Sequence, residues 1–242
     1  MFDLLLLQLL ARVWVKEIRQ ALDQVSICDG NDLQLYPGRS AIHRYKLSRP
    51  MQALVNAGLI QPGSTHLDYG CGYGDDVTRL QRMGIQSWGW DPYWFPHTPK
   101  HPSDVVTCLF VLNGILNREE RIAVLQECWA LTKRYLVISG RVPPVFGGQW
   151  IPYGDGYISP HRKVFHAIGN MKAFQWFVES TLQVETHVML VKPITLIIPR
   201  DTNQLVLDLL ALACRRHIAG LNARIQLSTS GTTDQPVALL QS

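Results

Sequence analysis

Asp68-Tyr69-Gly70-Cys71-Gly72-Tyr73-Gly74-Asp75 sets three glycines at alternate positions between two acids. Glycine is needed where a backbone turns sharply or must come close to a ligand. Thr65 to Asp68 reads as a short strand leading into this turn, and Asp75 to Met83 as a helix stopped by Gly84. A glycine turn between strand and helix offers free backbone N–H groups at the end of a sheet. Further along, Ile85 to Trp90 reads as a second strand ending at Asp91. Asp104 to Leu112 is an apolar run suited to a strand buried on both faces. Arg118 to Thr132 is helical in pattern, and Tyr135 to Ser139 is another buried strand. Strand–helix alternation of this kind predicts a doubly wound α/β fold, with helices on both faces of a mostly parallel sheet.

The flanks are read the same way. Residues 4–23 pattern as a helix, and Asp29-Gly30 and Pro37-Gly38 mark a polar turn region, so we expect a helical leader over 1–38. MFDLLLLQLL does not fit a targeting signal: no basic residue precedes the Leu run, Asp3 interrupts it and no small-residue cleavage site follows. The core domain is expected over 39–200, with a helix at Met51–Leu59 broken by Pro62-Gly63. Val142 to Pro160, full of Pro and Gly turn signals, is expected to be mostly loop. Phe165 to Thr181 is expected to be a helix that Gly169-Asn170 can split, and Val184–Val191 and Ile194–Ile198 a terminal strand pair. A helix over Leu205–Ala223 and a frayed tail from Leu227 fill 201–242.

With 47% hydrophobic and 17% charged residues in 242, the chain can bury a substantial core, which excludes wholesale disorder. A net charge of +4 permits a nucleic-acid partner without demanding one. Five scattered cysteines and no CxxC pair point to a reducing cytoplasm, with most of them acting as small buried hydrophobes. His97/His101 and His161/His166 have ligand-like spacing, but no cysteine or carboxylate completes a set. We read them as loop and surface histidines and expect no metal. No membrane role is expected either, because the apolar leader run falls far short of the roughly 20 residues that span a bilayer.

Asp91 stands 21 positions after Gly70, close to the spacing at which a carboxylate holds a ribose by its hydroxyls. Glycine turn and acid together indicate an adenosine-type ligand. A dinucleotide fingerprint wants a third glycine where Asp75 stands, and a carboxylate there repels a pyrophosphate. Asp68 adds negative charge. These acids suit the sulfonium and ammonium groups of S-adenosylmethionine, and they weaken the alternative of an NAD(P)-dependent oxidoreductase.

LDYGCGYG followed by WGWDP resembles the first motif and the acidic second-strand end of class I S-adenosylmethionine-dependent methyltransferases, whose fold is Rossmann-like. The resemblance implies that Asp68, Gly70, Cys71, Gly72, Gly74 and Asp75 lie by the methionine part, that Asp91 holds the ribose, and that Pro92 and Asn113 adjoin the cofactor. Over roughly Arg39 to Pro199 the chain is similar to the DNA phosphorothioation-associated methyltransferase family. The similarity runs through the block Arg44-Tyr45-Lys46-Leu47-Ser48-Arg49-Pro50, then His66 to Val77, Gly89 to Pro92, Phe110 to Asn113, and Gly154 to Tyr157. That implies a nucleic-acid or DNA-linked acceptor, a DNA-modification complex as partner, and, as the other reading, a non-catalytic scaffold in such a complex.

One departure concerns the adenine. Twelve residues, Pro92 to Ser103, with four prolines, cannot supply both the helix and the third strand that usually follow the ribose acid. Pro92, Tyr93 and Trp94 are then the candidates to pack on the base. The acceptor end is less legible. Asn113-Gly-Ile-Leu is not the Asn/Asp-Pro-Pro-aromatic motif of amino-methylating DNA enzymes, and the Pro-Cys nucleophile of cytosine-C5 enzymes is absent. We expect Asn113 to face the acceptor and the 141–166 loop to cover it. Asp155 or His161 would take a proton, and Tyr153 and Tyr157 would contact substrate; a plain surface turn is the competing reading. Arg44, Lys46 and Arg49 are open to three: a phosphate contact, a clamp on the cofactor carboxylate, or a solvated helix start.

Overall fold

The computed structural model describes residues 35–141, 150–159, 161–167, 170–190 and 192–230. The leader helix expected over 4–23, and the tail beyond 230, lie outside these residues. A six-stranded sheet forms the centre. Its strands are β1 (Thr65–Tyr69), β2 (Gln86–Trp90), β3 (Ser103–Leu109), β4 (Thr132–Gly140), β8 (His187–Leu190) and β9 (Ile194–Pro199). The spatial order is β2-β1-β3-β4-β9-β8. β2, β1, β3 and β4 run parallel, and β9 and β8 are antiparallel additions.

Burial alternates along these strands as a pleat requires. Val106, Leu136 and Leu196 face one side, where Leu125 and Cys128 of α3 (Arg118–Leu131) and Val178 of α4 (Met171–Leu182) cover them. Val105, Val137 and Ile197 face the other, under Met51 and Leu54 of α1 (Arg49–Asn56), Leu80 of α2 (Asp75–Arg82) and Leu205 of α5 (Thr202–Ser230). The α/β expectation therefore holds. α5 is fastened as well as packed: Asp208 accepts from Arg134 at 2.6 Å and from the Tyr135 hydroxyl. Helix continues to Ser230, past the point where fraying was expected. No helix among the described residues is long and apolar enough to cross a membrane.

Two expectations fail in the second half. Where loop was expected over 142–160, residues 150–159 carry β5 (Ile151–Tyr153) and β6 (Gly156–Ser159), which pair with β7 (Val164–Ala167) in a three-stranded antiparallel sheet. The helix expected from Phe165 begins only at Met171, because Asn170 caps it by accepting from the Ala173 amide at 2.9 Å. The small sheet is tied to the core by Arg121 of α3, which is buried and donates to both oxygens of Asp155 at 2.7 Å.

The chain between β2 and β3 holds neither helix nor strand, so β2 is the sheet's edge. Lys100 anchors this segment. Its ammonium lies 3.8 Å from the Trp90 ring centroid and 2.7 Å from Glu127 on α3, which also accepts from the Tyr69 hydroxyl at 2.5 Å.

Candidate functional site

β1 connects through α2 to β2 on one side, whereas β3 lies on its other side. The carboxyl ends of β1 and β3 therefore flank a crevice at the point where strand order reverses. A cavity of about 600 Å³ fills it. Gly70 (φ +78) and Gly72 (φ +56) form its floor in a conformation L side chains avoid, and a Cβ on Gly70 would collide with the Val111 side chain at the exit of β3. The 3-10 turn at Pro37–Ser40 and residues 41–44 wall the opposite side. Leu35 and Gly38, at the end of the expected leader, line this wall.

Three carboxylates line one part of the cavity: Asp68, Asp76 and Asp91. Asp68, at the end of β1, is buried. Burial first, and Asp76 second, push its acid up to about 7, against a hydrogen bond from Thr107 and the nearby Arg44 charge. Behind it a chain of polar groups runs across neighbouring strands on one face of the sheet. Thr107 donates to Asp68 at 2.6 Å, His66 Nε2 lies 3.0 Å from the Thr107 hydroxyl, and Ser87 lies 2.8 Å from His66 Nδ1. When Asp68 is ionised, Thr107 gives it its one proton and so accepts from Nε2–H, while Nδ1 accepts from Ser87. Complete burial lowers the His66 pKa to about 3 and keeps the ring neutral.

Asp91, at the end of β2, accepts from the Gly72 amide at 2.9 Å with one oxygen. The other oxygen accepts from the Tyr93 and Trp94 amides at 2.9 and 3.1 Å. These three bonds fix the glycine turn against the 92–94 segment and leave about one acceptor position on the carboxylate for a ligand. Pro92, Tyr93 and Trp94 do line the cavity, as does Cys71. Burial, with Asp68 and Asp91 beside it, raises the Cys71 thiol pKa, so it stays protonated and is no nucleophile.

The other expected residues are distributed differently. Asp75 is turned away from the cavity. Partial burial opposes its charge, but the Arg44 amide at 2.6 Å, with His43 and Arg79, holds its carboxyl below the usual range. The acid that faces inward in its place is its neighbour Asp76, which accepts from the Ser48 amide at 2.8 Å. Gly74 caps α2 with φ +72, buried behind the turn. Arg44 lines the cavity, while Lys46 and Arg49 are exposed outside it. Asn113 is a corner post beside the site: its oxygen accepts from the Arg141 amide at 3.0 Å and its amide donates to the Arg141 carbonyl. Asp155 is engaged bidentately by Arg121 and half-exposed, and His161 lies exposed; neither lines the main cavity, nor do Tyr153 and Tyr157.

Residues that sequence reasoning missed complete the wall. Phe110 leaves β3 with φ +65, a strained position for a bulky side chain, held by its amide donating to Ser139 O at 2.9 Å. Arg44 and Arg141 bring their guanidinium carbons to 5.8 and 5.3 Å from its ring centroid. His166 of β7 joins them; it is half-buried, not a surface histidine, and burial together with Arg141 lowers its pKa to about 4. Only the end of the predicted strand Tyr135–Ser139 hinted at Arg141, and nothing local marked His166.

No protein-family model matches the chain, and no curated protein sequence does. Among solved structures it is similar to the 1,6-didemethyltoxoflavin-N1-methyltransferase of Burkholderia thailandensis, crystallised with S-adenosylhomocysteine. That match has 15% identity and a TM-score of 0.46, covering 62% of this chain and 76% of that one. It is also similar to the magnesium protoporphyrin IX methyltransferase of Synechocystis (16% identity, 62% and 80% coverage, TM-score 0.43). A SAM-dependent methyltransferase of Aquifex aeolicus is a third (15% identity, 69% and 98% coverage, TM-score 0.44).

Proposed function

We propose that the chain is an S-adenosylmethionine-dependent methyltransferase. The observation that carries this reading is the cavity at the switch point, floored by Gly70 and Gly72 and lined by Asp68, Asp76 and Asp91. Its volume suits a ligand of cofactor size. The donor set fits a ligand with cationic groups and a ribose, and disfavours a dinucleotide, because Asp68 and Asp76 stand where a pyrophosphate would sit. When bound, the cofactor supplies a methyl group on a positively charged sulfur, which leaves as a neutral thioether once the methyl has been transferred.

The protein's own part is alignment and exclusion of water. Asp68 and Asp76 oppose the positive charges, the last acceptor position of Asp91 takes a ribose hydroxyl, and Tyr93 and Trp94 pack on the base. Where the acceptor carries a proton, His166 in the wall is a candidate to receive it, though its lowered pKa makes it a weak base. Nucleic acid leads as acceptor, with a DNA-modification complex as the setting that the sequence resemblance implies.

Calorimetric titration with S-adenosylmethionine, S-adenosylhomocysteine and NAD tests the cofactor. Micromolar binding of both adenosyl ligands is expected, and NAD binding alone would reverse the reading. Transfer of labelled methyl groups to cellular nucleic acid separates an enzyme from a cofactor-binding scaffold.

A further inference from the structure

The cavity is electrically divided. Asp68, Asp76 and Asp91 gather over the glycine turn, and Glu120 lines the cavity as well, whereas Arg44 and Arg141 stand together at Phe110. Two guanidinium groups approach the same Phe110 ring from segments almost a hundred residues apart in the sequence, Arg44 before β1 and Arg141 after β4. Each is held by its backbone. The Arg44 amide is bound by Asp75 and its carbonyl by Arg79, and the Arg141 amide and carbonyl are both bound by Asn113. Charge is concentrated here against its own repulsion: burial lowers the Arg141 pKa, and Arg44 and Arg162 lower it further. Among the described residues, neither Arg44 nor Arg162 enters an ion pair. Outside the cavity lining, Arg39 lies 4.6 Å and Lys163 5.8 Å from the Tyr36 ring centroid. A protein that fixes two arginines by their backbones, beside a strained aromatic residue and among like charges, has prepared a place for an anion, because guanidinium forks match carboxylate and phosphate oxygens.

We propose that Arg44 and Arg141 grip an anionic group of the methyl acceptor over Phe110, so that the acceptor is a phosphate- or carboxylate-bearing molecule. The proposal rests on the cofactor reading, which assigns the acidic part of the cavity to S-adenosylmethionine and leaves the basic part to the second substrate. It gives Asn113 and Asp75, which do not line the cavity, the role of positioning the two grips through their backbone bonds.

The test uses the full chain, wild type and Arg44→Gln/Arg141→Gln, with Arg44→Lys/Arg141→Lys as the charge-keeping variant and thermal melting to show that each folds. Calorimetry gives the affinity for S-adenosylhomocysteine and for 5′-methylthioadenosine, which lacks the carboxylate. Fluorescence anisotropy of a labelled single-stranded oligonucleotide on the S-adenosylhomocysteine complex, at several salt concentrations and with inorganic phosphate as competitor, reads the anion. The expected result is anion binding that drops tenfold or more in the glutamine variant, recovers in part in the lysine variant, and leaves both adenosyl affinities within about twofold.

Tight oligonucleotide binding with a steep salt slope, resistant to millimolar phosphate, assigns the anion to nucleic acid. Equal displacement by phosphate, or phosphate binding alone, assigns it to a small acceptor. Loss of S-adenosylhomocysteine but not methylthioadenosine binding in the glutamine variant would overturn the proposal, because the arginines would then hold the cofactor's own carboxylate. Absence of any anion binding by the wild-type complex would overturn it too. Failure of the wild type to bind S-adenosylhomocysteine at all sinks the cofactor reading and is seen separately from the anion signal.

Discussion

Asp68 and Arg141 face the same cavity, yet they are held there by different kinds of structure. Asp68 ends a central parallel strand, and its partners Thr107 and His66 sit on the same sheet, buried, within one short hydrogen-bonded chain. Arg141 follows the last residue of β4, pinned by Asn113 and faced by His166 from a sheet assembled out of 3- and 4-residue strands. The acidic wall is built by adjacent strands, whereas the basic wall is built by segments that meet only in the folded chain. The first can be moved only by disturbing the core, and the second can be altered locally.

The sharpest way to break this contrast is to titrate the acidic wall. Asp68, with its pKa raised to about 7, stabilises the ligand-free fold fully below its unfolded pKa near 4, and that contribution is lost as pH rises through 7. His66, with its pKa lowered to about 3, contributes stability above its unfolded pKa near 6.5 that is lost as pH falls toward 3. Each effect is worth on the order of 4 kcal/mol across its full window. Between about pH 4 and 6.5 the two slopes oppose each other. Denaturant unfolding across pH should therefore show Asp68→Asn losing stability on acidification and His66→Gln gaining it, with wild type flatter than either. Asp68→Asn should also be more stable than wild type at pH 8 while binding S-adenosylmethionine at least tenfold more weakly. A wild-type stability that follows one of the two slopes undiminished would mean that the chain behind Asp68 is not as closed as described.

Next in size, Asp91→Ala removes three bonds to backbone amides, so we expect a loss of about 2–4 kcal/mol in stability. S-adenosylhomocysteine affinity should fall about a hundredfold, as read by calorimetry. Asp155→Asn tests the other wall. It weakens a pair of which Arg121 is buried and Asp155 is half-exposed, so about 1–2 kcal/mol should be lost. Adenosyl-ligand affinity should stay within twofold; a larger change would mean that the small sheet reaches the cofactor half. Smallest of all, Lys46→Ala and Arg49→Ala should each change stability by less than about 0.5 kcal/mol and leave cofactor affinity unaltered, since both side chains are solvated outside the cavity.

The same contrast explains what could be read from the chain. Gly70, Gly72 and the acid of β2 stand close together in sequence because a strand–turn–helix unit is local, and the buried strands announce themselves by apolar runs. Asp75 was misplaced by one residue. At the start of a helix, neighbouring side chains point about 100° apart, so Asp76 turns inward while Asp75 turns to the 43–44 segment. The small sheet was hidden because its strands are too short for period-two patterning to show. Pro152 and Gly154 mimic loop, and the Arg121 that ties the sheet to the core lies 34 residues from Asp155 in sequence. Asn170 was a helix-start signal that could have freed Phe165–Ala167 from the helix expected over Phe165–Thr181. Arg141 and His166 had no local signal, since neither a strand end nor a lone histidine specifies which cavity it will meet.

The polar chain behind Asp68 carries one more consequence. An ionised Asp68 can only accept, which obliges Thr107 to donate to it and His66 to keep its proton on Nε2. A neutral Asp68 lifts that obligation and leaves both ring tautomers open. Capture of a cationic ligand, by ionising Asp68, should therefore freeze His66 into a single tautomer without changing its charge. The nitrogen resonances of one buried ring would then report, from further along the same face of the sheet, whether the cavity holds a positive charge.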